Sequence, residues 1–176
     1  RTAAPTTVSV LRRTVGDRSN RSAVETVTVK VTDVNDTAPA ITASQSFSVL
    51  ESAVNTTSVG TVAATDADTV GSLQAWTITA GNGDGIFAVN VSTGEITIAD
   101  KTNLDYETTT SYVLSLTVGD GVNTSAVETV TVNVTDVNDN APVITASQTF
   151  AVLESAANTP SVGTVAATDA GTVGNL

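Results

Sequence analysis

The sequence predicts an all-β chain built as a tandem array of antiparallel β-sandwiches. Two observations carry this: an internal repeat about one domain long, and β-branched residues set in short alternating runs with no helical period. The repeat is read directly. SAVETVTVKVTDVNDTAP at 22–39 returns as SAVETVTVNVTDVNDNAP at 125–142, and ITASQSFSVLESA at 41–53 returns as ITASQTFAVLESA at 144–156. Both pairs are offset by 103 residues, the length of a domain rather than of a solenoid unit. The chain therefore divides into the end of one copy (1–38), a complete copy (39–140) and the beginning of a third (141–176), and is expected to be a piece of a longer repetitive protein.

Within the complete copy, seven strands are predicted at 46–50, 59–65, 74–79, 86–90, 94–98, 111–119 and 126–135. In the last of these Val130, Val132 and Val134 point one way, and Thr129, Thr131 and Asn133 the other. Tyr112, Leu114, Leu116 and Val118 share a face, as do Trp76 with Ile78 and Ile96 with Ile98. With aromatics at only 3%, the core must rest on Val, Ile, Leu and Ala, with Trp76 and Tyr112 added to it. The glycines of GNGDG (Gly81, Gly83, Gly85) allow positive φ, and Ser92–Gly94 signals a tight hairpin. Pro39 and Pro142 keep the last strand of one copy from running on into the next ladder. Seven short strands with these turns in about a hundred residues fit an immunoglobulin-like, Greek-key seven-strand sandwich, one complete copy flanked by two partial ones.

Composition excludes several functions. The net charge is −11, so nucleic acid is not an expected partner, because phosphate binding needs clustered Lys and Arg. There is no Cys, hence no disulfide, thiolate or Cys zinc chemistry, and no His, the usual general base and commonest transition-metal ligand. No apolar run approaches the ~20 residues that span a bilayer. Five of the seven basic residues, Arg1, Arg12, Arg13, Arg18 and Arg21, fall near the start, and Arg13 stands where the complete copy has Leu116. A divergent copy or a fragment boundary explains this more simply than a basic binding tail.

The acids are distributed by rule. When successive strands alternate in direction, Glu51, Asp105, Glu107, Asp136 and Asp139 fall at one end of the sandwich, and Asp66, Asp68 and Asp120 at the other. In a tandem array the first end of each copy meets the second end of the next. About eight carboxylates would then converge at a junction, where unpaired charges repel or take up protons. A hard cation with six to eight oxygen ligands resolves the conflict, which describes Ca²⁺; Mg²⁺ holds its water and demands octahedral geometry. Asn35 and Asn138 add neutral oxygens. Asp84, Glu95, Asp100 and Glu128 stand apart as surface charges.

At these residues the sequence resembles the cadherin repeat, in the bacterial form found in large surface adhesins. The resemblance lies in VLES around Glu51, ATDAD at 64–68, FAVNVSTGEI at 87–96, LDYE at 104–107, VGDG at 118–121 and DVNDNAP at 136–142, taken together and in this order. It implies calcium at each junction. At the far end of the complete copy it assigns Glu51, Asp105, Glu107 and Asp139, the carbonyls of Val137 and Asn140, Asn138 in the linker, and Asp169 from the third copy. Gly171 replaces the second acid of that copy's DxD, which puts one ion in question there. At the near end it assigns Asn35, Asp36, Asp66, Asp68 and Asp120, while Thr2 and Ala4 replace the paired acids, so that junction is expected to keep only the ion nearest the complete copy.

The resulting expectation is a non-enzymatic, calcium-stiffened spacer of an extracellular cell-surface adhesin, whose partners are its own neighbouring repeats. The rival is a repeat that itself binds a homophilic partner or a cell-surface polysaccharide. An exposed aromatic platform would favour it. Glycoside chemistry by paired carboxylates is the least economical reading, since each acid cluster recurs with the repeat.

Overall fold

The computed structural model describes residues 8–158 and 161–174. It opens with a hairpin, β1 (Val8–Arg13) and β2 (Glu25–Lys30), antiparallel with Val10 opposite Thr28. The complete copy follows with β3 (Ala40–Ile41), β4 (Gln45–Leu50), β5 (Ser58–Thr61), β6 (Ala64–Thr65), β7 (Gln74–Ala80), β8 (Phe87–Val89), β9 (Glu95–Ile98), a 3₁₀ turn (Lys101–Asn103), β10 (Ser111–Gly119) and β11 (Glu128–Thr135). Short pairs β12 (Val143–Ile144) and β13 (Ala167–Thr168) begin the third copy.

Two sheets form the sandwich: four strands in the order β4-β11-β10-β7 and three in the order β5-β9-β8. Alternation decides what faces inward. Val130, Val132, Leu114, Leu116, Val118 and Ile96 are all 0% exposed, and their sequence neighbours, Gly119 apart, are partly or fully exposed. Trp76 is buried, and Tyr112 packs edge-on to Phe87 with centroids 5.2 Å apart. The Tyr112 hydroxyl donates to the Asn103 carbonyl at 3.2 Å, so this ring is half in the core with its polar tip out.

The expected strand at 59–65 is two strands. β5 pairs with β9 and β6 pairs with β3, so the chain changes sheets at Val62–Ala63. The strand expected at 46–50 likewise has a leading piece, β3, on the other sheet side, and crosses over through Ser44 at φ 61° before β4 joins β11 in parallel. Gln45 fills the gap. Its amide donates to the carbonyls of Thr42 (2.8 Å) and Ala63 (3.0 Å), and its oxygen accepts from the Ala63 N–H (2.7 Å). The third copy repeats this crossing with Ser147 at φ 58° and Gln148 on Thr145 and Ala166. Gly94 is required at the β8–β9 turn: its φ is 73°, and a Cβ there would lie 2.8 Å from the Trp76 ring.

Candidate metal centres at the repeat junctions

At the far end of the complete copy, Glu51 follows β4, while Asp105 and Glu107 lie between the 3₁₀ turn and β10. One oxygen of each of the three carboxylates lies within 4.8 Å of the others. Glu51 is buried and held by two backbone donors, Tyr106 N–H at 2.7 Å and Val137 N–H at 2.6 Å. Asp105 accepts from Glu107 N–H at 3.0 Å and from the Thr108 hydroxyl at 2.9 Å. The Thr108 hydroxyl is the main reason its carboxyl sits below the ordinary range. Glu107 is pushed the other way, first by partial dehydration and then by the negative charges of Glu51 and Asp136.

The linker runs alongside this triad. Asp139 stands outside the 4.8 Å set: its N–H donates to the Val137 carbonyl at 2.8 Å and its carboxylate accepts the Asn140 amide at 2.9 Å. Asn138 lies against Gly174, at whose α-carbon a side chain would meet the Asn138 amide at 2.7 Å. Asp136 is buried, and its Oδ2 accepts from Thr172 N–H, from Thr172 Oγ1–H and, at 2.9 Å, from Val173 N–H. A side chain at Gly171 would begin 3.2 Å from both Asp136 Oδ1 and Glu107 Oε1, so the missing DxD acid is missing from this cluster itself.

At the near end the acids do not gather into a comparable triad among the described residues. Asp68 N–H donates to Asp66 Oδ1 at 3.0 Å, and Asp68 Oδ2 accepts from Asp36 N–H (2.9 Å) and Thr37 N–H (2.7 Å). Asp120, 2% exposed, accepts from Val122 and Asn123 N–H at 2.7 Å each, and the Asn123 N–H leads in holding its carboxyl below the ordinary range. Asn35 donates to the Asp120 carbonyl at 3.4 Å. Thr2 and Ala4 lie outside the described residues.

The donor set fits a divalent hard cation. Asn35 Oδ1, Asp120 Oδ2, Asp136 Oδ1 and Asp169 Oδ1 are all buried oxygens with no hydrogen-bond partner, and all four lie at the junctions. Such oxygens call for a hydrogen-bond donor or a metal ion, and a divalent cation is the partner that also offsets the clustered negative charge. Protein cations do not offset it, because Lys101 is the complete copy's one basic residue. Two contacts went unforeseen in the sequence: Asp33 Oδ2 accepts from Thr69 N–H and Oγ1–H at 2.5 Å each, and Asp136 does the same with Thr172. The signal was present, since Asp and Thr both recur at the offset of 103, but nothing local pairs them.

Comparison with known proteins places the fold. The family model described as the cadherin domain matches residues 45–135. Mouse Protocadherin Fat 4 is 36% identical over 168 residues, covering 92% of this chain and 3% of that protein. The Drosophila melanogaster protocadherin-like wing polarity protein stan is 40% identical over 164 residues, covering 87% and 4%. The chain thus spans a few per cent of the length of these relatives. Among solved structures, the human Desmocollin-1 ectodomain superposes with a TM-score of 0.71 at 26% identity, over 88% of this chain and 30% of that one. The protocadherin gammaB7 fragment gives 0.68 at 27%, over 85% and 40%. With its sandwich, its acidic junctions and the match over most of the complete copy, this chain belongs to the cadherin domain family.

Proposed function

We propose that this chain is a segment of an adhesion protein in which calcium, bound between successive repeats, turns a jointed chain into a stiff spacer. As a cadherin repeat it is an extracellular, cell-surface module of a family that is in general non-enzymatic. The observation that carries the calcium reading is the convergence of Glu51, Asp105 and Glu107 within 4.8 Å, together with the partnerless buried oxygens of Asp136 and Asp169. In this reading one complete repeat, 39–140, is flanked by partial repeats at 1–38 and 141–176.

The ion's contribution when bound is charge neutralisation and multidentate oxygen coordination. The residues proposed to hold it at the far junction are Glu51, Asp105, Glu107, Asp139, Asn138, Asp169 and the carbonyls of Val137 and Asn140. At the near junction they are Asn35, Asp36, Asp66, Asp68 and Asp120. Because ligands come from both sides of each linker, occupancy restrains the angle between repeats, and weak sites suit the millimolar calcium outside cells. A second reading is lateral self-association, prompted by the solved protocadherin gammaB7 fragment, which is a cis-dimer. An aromatic sugar platform is poorly supported, because Trp76 is only 2% exposed.

Thermal melts in millimolar calcium, in chelator and in magnesium test the proposal. Calcium alone is expected to raise the melting temperature, and Glu107→Gln with Asp105→Asn to remove that rise. Identical melts in all three buffers would reduce the carboxylates to solvated charges. Sedimentation in the same buffers separates the spacer, which stays monomeric, from the self-associating reading.

A further inference from the structure

We propose that Asp33 and Asp136 are positioning residues that clasp each repeat to the next through hydrogen bonds made without any ion. Each lies just beyond the last strand of its own repeat, and each reaches across the proline-containing linker to a residue 36 positions on. The partner is the same in both cases, the Thr two residues before a Gly in the loop that follows β6 or β13: Thr69 for Asp33 and Thr172 for Asp136. In both, one carboxylate oxygen takes the Thr N–H and the Thr hydroxyl together, and Asp136 adds the Val173 N–H. These are charge-assisted bonds, roughly twice as strong as neutral ones. The Thr hydroxyl leads the causes that hold both carboxyls below the ordinary range.

The two junctions differ in what accompanies this clasp. At the first, a second one runs the opposite way, from the linker N–H groups of Asp36 and Thr37 to Asp68 Oδ2. At the second, Gly171 stands in the place of Asp68, and no carboxylate is available there to receive the linker. Each joint is therefore seated by backbone hydrogen bonds on one or both sides, and the first is seated more firmly. Asp136 also has one oxygen committed to the clasp and the other, partnerless, turned toward the Glu107 side of the cluster.

The clasp is independent of the calcium reading, and its test keeps the two apart. The chain has no cysteine, so Ser9→Cys and Ser48→Cys introduce a clean spin-label pair across the first junction. In excess chelator the parent is expected to show a distance distribution broader than its own in calcium, Asp33→Ala one at least twice as wide as the parent's in chelator, and Asp33→Asn, which retains an acceptor oxygen, one close to the parent. Emission from Trp76, the single tryptophan, reports whether the complete repeat stays folded in each variant. An Asp33→Ala distribution in chelator as narrow as the parent's would overturn the clasp whatever the melts show for calcium.

Discussion

At the far end of the complete repeat, Glu51, Asp105 and Glu107 crowd their oxygens within 4.8 Å; at the near end, Asp66, Asp68 and Asp120 each turn an oxygen to backbone N–H groups. The same residue type is thus placed in two electrostatic situations. Backbone donors stabilise the charged form and lower a carboxyl's pKa, as at Asp120. Dehydration first, and crowding by the charges of Glu51 and Asp136 after it, destabilise the charged form at Glu107. Backbone donors also reach the far end, at Glu51, Asp105 and Asp136, so what sets that end apart is the convergence of three carboxylates. Acid content alone does not identify a metal site; what matters is which carboxylate oxygens the fold brings together.

Glu51 offers the largest break in that contrast, because it serves both roles. Glu51→Ala strands the N–H groups of Tyr106 and Val137 and is expected to destabilise the complete repeat by about 2–4 kcal/mol in urea unfolding, even in chelator. An effect visible only in calcium would mean that its role is purely as a ligand. Gly171→Asp comes next and sharpens the comparison by giving the far junction the acid that the near one has in Asp68. The new carboxylate would enter beside Asp136 and Glu107, lowering the melting temperature in chelator while raising calcium affinity about tenfold, or about 1.4 kcal/mol, by calorimetry. The same sign in both buffers would place residue 171 outside the metal centre.

The smallest effect is in pH. Glu107, whose folded pKa is raised, takes up its proton first on acidification, so metal-free stability rises slightly as pH falls toward the ordinary Glu range. Asp105, Asp120 and Asp136, whose folded pKa values are lowered, contribute stability above their unfolded pKa and lose it as pH falls through the folded values. Melts in chelator should therefore pass through a shallow maximum just above the carboxylate range, and Glu107→Gln should flatten its neutral side.

Much of this was legible before any coordinates. Six of the seven expected strands are present as single strands and the one expected at 59–65 is split in two, because a period of two in side-chain burial is a local property of the chain while a change of sheet is not. Counting strand reversals sufficed to send Glu51, Asp105 and Glu107 to one end, and the parallel pairing of β4 with β11 agrees with that count. The crossing of strands between sheets was not legible. It depends on Ser44 taking a positive φ and on Gln45 bonding Ala63, and neither disturbs the alternation. The clasps were hidden for a similar reason: Asp33 and Thr69 look like two ordinary loop residues until folding brings them together.

The sequence by itself determined the repeat, the strands, their inward faces and the end at which each acid lies, since all of these follow from spacing along one chain. Only the tertiary structure decided which acids meet each other and which meet backbone donors. It also decided burial. Val27 and Val29 match Val130 and Val132 residue for residue, yet they are 51% and 44% exposed against 0%, because among the described residues no second sheet covers β2. A pattern specifies which side of a strand is apolar; removing that side from water takes a partner surface.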